Sequence, residues 1–333
     1  MKKTILTLIA IMMLTLSYAQ IGTHIPVERL PFDDEGVLEW TKAGCLENIR
    51  DNGGLIIEKF IDVTNDLEED YIVGNTLSEK IQFILDLDED DTNYNQSLLF
   101  YFPPGEYEID ETITVNRDSV VFRGAGADKT TLLFTKEWYK CSAWEDLTGN
   151  GQYEWIIQGY ERNDDLFKVT GNYIGLENLK IDNQLDPILI TVDSGYEEEG
   201  YNGNFVSFSG SNNSWIAGVH MKKSRRHHVK ISHSDNIEVR GCYFHKSYSY
   251  GGGGNGYGVC LANESRYCLI ENNIFGKLRH AMIFGNDSKY NVVSYNYQKN
   301  SAENRNVSSK VGHFSSLILF IITSPFFRYF QVY

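Results

Sequence analysis

The segment DNIEVRGCYF, Asp235 to Phe244, alternates apolar and polar residues, passes one glycine and ends in two large aromatics. Three further segments share its shape: NSWIAGVHM ending at Met221, YCLIENNIF ending at Phe275 and YNVVSYNYQ ending at Gln298. The first pair is offset by 23 residues and so is the last pair. The middle pair is offset by 31, and the insertion SYGGGGNG, Ser249 to Gly256, accounts for the excess. An earlier copy, YIGLENLKIDN, runs from Tyr173 to Asn183. Strand-like alternation at this period, with no 3.6-residue pattern, means a coil of about three short strands per turn. One turn cannot bury its own inner face, so the turns must stack on a shared core. Asn178, Gly218, Gly241, Asn273 and Asn296 are expected at equivalent corners, because Asn and Gly tolerate left-handed backbone. A sandwich of evenly spaced strands is the competing reading, and it requires no such recurrence.

The opening of the coil is more specific. LLFYFPPGEYEIDETITV, Leu98 to Val115, is followed by VVFRGAGADKTTLLF, Val120 to Phe134. Together they resemble the amino-terminal turns of the pectin-lyase-like superfamily, in its pectate-lyase-type form. The resemblance covers roughly residues 62–300. It implies an all-β fold, a right-handed single-stranded parallel β-helix, with an amino-terminal capping helix. The superfamily holds lyases, hydrolases, epimerases and non-catalytic fibre proteins, so the resemblance is to a fold more than to an activity.

The remaining segments frame that coil. A basic start, an apolar run and small residues near Ala19 read as a signal peptide over residues 1–19, and hence as a secreted protein, extracellular or periplasmic. Residues 20–97 read as a lead-in. Within it, Thr76 to Leu87 has helical spacing, with Ser78 as the expected N-cap. The coil is expected over residues 98–300, interrupted by insertions at 136–165 and 183–204. Residues 301–333 form an apolar tail that breaks the pattern and suggests a truncated chain. The five cysteines, Cys45, Cys141, Cys242, Cys260 and Cys268, are odd in number and irregular in spacing, so buried thiols are expected rather than a disulfide framework. The net charge of -15 excludes nucleic acid as a partner class and leaves room for a local basic cleft. A monomer with no stable membrane span is expected.

Chemistry is expected where Arg-His recurs. RHHVKIS, Arg226 to Ser232, aligns with GYGVCLA, Gly256 to Ala262, and with RHAMIFG, Arg279 to Gly285. The alignment puts His227, Tyr257 and His280 in one column on three turns, and Arg226, Gly256 and Arg279 in the next. Those groups suit β-elimination from an acidic polysaccharide, a carbon–oxygen lyase reaction. Arginine neutralises the uronate carboxylate, and histidine, lysine or tyrosine moves protons. Arg226 and Arg279 are the expected carboxylate partners, His280 or Lys277 the base, and Tyr257 or His227 the acid. Arg225, Tyr248 and Tyr250 are further expected substrate contacts. The alternatives are a non-catalytic glycan-binding or surface-attachment coil, and a glycoside hydrolase drawing acids from the insertions. The strands offer few carboxylates for hydrolysis: Glu177, Asp182, Glu238 and Glu271. No cofactor is expected. Ca2+ is the one ion considered, at DLDEDDTN, Asp86 to Asn93, or DLTGNGQYE, Asp146 to Glu154.

Overall fold

The computed structural model describes residues 43–45, 55–69, 71–87, 96–135, 143–145, 154–156, 165–183, 189–191, 197–199, 203–224, 226–247, 256–285, 287–301, 318–322 and 329–332. The expected signal peptide, most of the lead-in and most of both insertions lie outside them. Of the tail, Ser301 and the strands Ile318–Ile322 and Tyr329–Val332 fall within them.

The chain coils through three parallel ladders, here named sheets I, II and III in the order each turn visits them. Sheet I includes Val120–Gly124, Gly175–Glu177, Trp215–Ala217, Glu238–Arg240 and Leu269–Glu271. Sheet II includes Gly105–Ile109, Thr130–Phe134, Lys180–Asn183, His220–Ser224, Tyr243–Ser247 and Ile274–Leu278. Sheet III holds Ile113–Val115, Phe167–Val169, Val206–Ser209, His227–Ser232, Tyr257–Ala262 and His280–Gly285. The long strand Asn291–Ser301 takes part in both sheet I and sheet II, and Ile318–Ile322 pairs antiparallel with its first half. This is the coil expected from the repeat, in the right-handed parallel β-helix form that the resemblance implied.

Register follows the sequence offsets. Ile216 pairs with Val239, Val239 with Ile270 and Ile270 with Val293. All four are buried, so one apolar column runs through the coil. Met221, Phe244 and Phe275 form another, with the Phe244 and Phe275 rings stacked at 5.0 Å. Each such side chain contributes about 1.5–3 kcal/mol when fully buried. A cavity of about 10 Å3 remains between Phe122, Phe167, Leu176 and Phe208. No substrate fits there.

The corner between sheets I and II corrects the expected phase. Its left-handed residues are Asn178 (φ 53°), Gly218 (64°), Gly241 (62°), Asn272 (55°) and Tyr295 (54°). Asn273 and Asn296 stand one residue later and point inward. Asn273 Oδ1 accepts from Cys242 N at 2.9 Å, and Asn273 Nδ2 donates to Val239 O at 2.9 Å and to Asn296 Oδ1 at 3.0 Å. Asparagine therefore plays two roles at adjacent positions: it holds the left-handed corner, or it links neighbouring turns inside it. A Cβ at Gly218 would lie 2.7 Å from Asn178 Oδ1, so the asparagine below fills the space a side chain would need.

Two boundaries also shift. The helix is Leu77–Leu85, and its N-cap is Thr76, not Ser78. Thr76 and Glu79 form a capping box, while buried Ser78 Oγ accepts from Asp110 N at 3.1 Å and so ties the helix to the coil. The coil starts before Leu98, because Lys59–Asp62 adds a parallel strand beside Leu98–Phe102. Cys45, Cys242, Cys260 and Cys268 are free thiols, and burial pushes Cys242 and Cys268 up to about 12. No helix among the described residues is long and apolar enough to cross a membrane.

Asn273→Ala strands the buried Cys242 N–H, at about 1–3 kcal/mol for a group left unsatisfied. Urea denaturation is expected to show a loss of about 1–3 kcal/mol. A change within experimental scatter contradicts the internal role given to Asn273.

Candidate functional site

The corner between sheets II and III is built from turns of very different length. Both long insertions leave the coil there. Their feet are tied together: Asn204 N and Nδ2 each donate to Asp165 Oδ1 at 2.8 Å. Burial raises the Asp165 pKa, against the lowering effect of those bonds. Further along, the connections at Arg226 and Arg279 are tight, because each strand of sheet III begins at the next residue.

The paired columns of the sequence alignment are present. His227 pairs with Tyr257, and Tyr257 with His280. The His227 and Tyr257 rings stack at 5.1 Å, and the Tyr257 and His280 centroids are 5.2 Å apart. In the neighbouring column Gly256 N donates to Arg226 O and Arg279 N donates to Gly256 O, each at 2.9 Å. Arg226 and Arg279 thus stand two turns apart, about 10 Å along the coil axis, with only a glycine between them. Both arginines are half-buried. The His–Tyr–His column is nearly enclosed, at 3%, 7% and 5% exposure.

Electrostatics distinguish this edge. The six parallel strands of sheet III read ITV, FKV, VSFS, HHVKIS, YGVCLA and HAMIFG, with no Asp or Glu among them. Burial, then the Arg279 charge, lowers the His280 pKa to about 4, so the ring is neutral near neutral pH. His228 is enclosed between Phe205 and Phe244, and burial lowers it to about 4 as well.

Five of the six expected catalytic residues gather at the start of sheet III: Arg226, His227, Tyr257, Arg279 and His280. Lys277 belongs to Ile274–Leu278 of sheet II, and its charge acts on His245. Arg225, Tyr248 and Tyr250 lie outside the described residues. Among the described residues no cluster of His, Cys, Asp or Glu can hold a metal ion. Most of both stretches considered for Ca2+ lies outside them. Of the lysines of sheet II the sequence reading singled out Lys277 alone. Lys223 and Lys246 precede it at offsets of 23 and 31, the spacing of the turns themselves, and that was the available signal.

The two depressed histidines predict an acid-sensitive fold. Above 6.5 both are neutral in either state, and their contribution is fully present. As pH falls from 6.5 towards 4 the unfolded chain binds protons that the folded chain refuses, so stability is lost across that window. For His228 the loss reaches about 3 kcal/mol. The thermal midpoint is expected to drop on acidification, and His228→Leu should flatten that drop. An equal drop in the variant contradicts the assignment.

No protein family profile matches the chain, and no curated protein matches it. Solved structures do. The exopolygalacturonase of Thermotoga maritima is similar at 14% identity and a TM-score of 0.50, over 74% of this chain and 61% of that one. A Geobacillus virus E2 protein, ORF18, is similar at 14% identity and a TM-score of 0.48, over 74% and 43%. The family 28 exopolygalacturonase of Yersinia enterocolitica is similar at 12% identity and a TM-score of 0.45, over 73% and 49%. The chain thus spans less than two thirds of each of these proteins. The likeness is one of fold, the right-handed parallel β-helix.

Proposed function

We propose that this protein is secreted and acts on an acidic polysaccharide at the edge of sheet III, cleaving it by β-elimination. One observation carries the reading: Arg226 and Arg279 flank Gly256 on an edge whose strands contain no carboxylate. That edge attracts anions, and among the described residues its strands hold none of the paired acids that hydrolysis uses. The exopolygalacturonase likeness supports a polysaccharide as substrate and is silent on the reaction.

In the proposed step a uronate carboxylate sits against Arg279 and Arg226. Neutralising it makes the adjacent C5 proton more acidic. His280 takes that proton, the C4–O bond breaks, a C4–C5 double bond forms, and Tyr257 or His227 protonates the departing oxygen. A bound carboxylate also offsets the Arg279 charge, one of the two causes that depress His280, and so makes the ring a stronger base when substrate is present. No metal is needed in this scheme, although a bound cation could supply carboxylate neutralisation.

The enclosure of His227, Tyr257 and His280 favours a second reading, in which the arginines hold a glycan without chemistry. Ultraviolet absorbance separates the two, since elimination makes a conjugated product. With polyuronates the wild type is expected to produce it. Arg279→Ala and His280→Gln, checked for folding by circular dichroism, are expected to lose about a hundredfold or more. New reducing ends without unsaturation mean hydrolysis. Binding without any product supports the second reading.

A further inference from the structure

The outer face of sheet II changes character along the coil. In its early turns it carries Glu106, Glu108 and Asp182. In its last four turns the strand sequences are HMKKS, YFHKS, IFGKL and YQKNS, with no Asp or Glu. Lys222 pairs with His245, His245 with Gly276, and Gly276 with Lys299, so these residues form one column. His220, Tyr243, Ile274 and Tyr297 form the column beside it. Lys223, Lys246 and Lys277 take left-handed backbone at the corner, φ 62°, 61° and 53°.

Five lysines thus lie within four turns of a chain whose net charge is -15. Lys223 is 3.6 Å from Asp182. Lys222, Lys277 and Lys299 make no ion pair among the described residues. After burial, the causes that lower the His245 pKa are Lys277, Lys222, Lys246 and Lys299, so the four ammonium groups converge on one patch. The patch also has an apolar ridge. Tyr243 lies between His220, at 5.8 Å, and His245, at 5.5 Å. Ile274 and Tyr297 beside it are 43% and 45% exposed.

We propose that the last four turns of sheet II form a second binding surface, separate from the edge of sheet III, which holds a polyuronate chain running along the coil axis. The inference rests on acidic polysaccharide as the substrate class and not on elimination. Cations recur at every turn, about 4.8 Å apart, on the scale of successive sugars in an extended chain. The lysines meet the carboxylates, while Tyr243, Ile274 and Tyr297 meet the apolar faces of the rings. A strip with at least one lysine on every turn suits a single carboxylate-bearing strand.

The test is calorimetric binding of polygalacturonate in the Arg279→Ala background, which blocks turnover. Lys222→Glu, Lys277→Glu and Lys299→Glu are combined. A control reverses Lys59, Lys129 and Lys289 and reaches the same net charge. The first combination is expected to weaken binding about tenfold or more and to flatten its salt dependence, while the control stays close to its parent. Equal effects of the two combinations overturn the proposal. So does wild-type binding to duplex DNA or anionic vesicles as tight as binding to polygalacturonate. If binding behaves as expected and no unsaturated product ever forms, elimination fails and this surface stands.

Discussion

Every part of this molecule depends on the hydrogen-bonded, in-register stacking of one turn on the next. The ladder fixes a spacing of about 4.8 Å and allows no slippage, because a one-residue shift would move each apolar column from the core to the surface. Val239 can lie beneath Ile270 only if Arg240 lies beneath Glu271. The same register that buries the core therefore composes the outer faces, residue by residue. Arg240 consequently bridges Glu238 and Glu271 on the outside of sheet I.

That coupling lets an acidic protein carry cationic faces. The acids of sheet I are met by arginines: Glu177 by Arg123, Glu238 and Glu271 by Arg240. Sheet III and the late turns of sheet II carry only cations, histidines and neutral groups on their strands. Arg279 illustrates the chemical consequence. It is held by its turn next to His280 and lowers that pKa, so anion binding and proton affinity at this edge are linked.

Much of this was legible in the sequence, because a solenoid converts sequence offset directly into spatial neighbourhood. Offsets of 30 and 23 residues placed His227, Tyr257 and His280 in one column, and the register agrees. Corners were harder to read. Asn272 and Asn273 are adjacent and alike, and only backbone geometry shows which one turns the chain. Ser78 looked like a cap, but a cap is defined by where its oxygen points, and that of Ser78 points to the coil. The lysine stripe of sheet II went unread, with Lys277 taken alone, because single lysines are usually solvated. Their meaning comes from stacking, which turns one lysine per repeat into a continuous stripe. The enclosure of the His–Tyr–His column is a tertiary property that no strand pattern contains.

The claim at the centre of this account is that register, and not loop chemistry, presents Arg226 and Arg279 to one anionic ligand across Gly256. The most direct measurement is a crystal structure of the protein with a short oligouronate. The account predicts a sugar carboxylate within hydrogen-bonding distance of the Arg226 or Arg279 guanidinium, over the start of sheet III. A well-ordered oligouronate bound elsewhere, with both arginines turned away from it, contradicts the account.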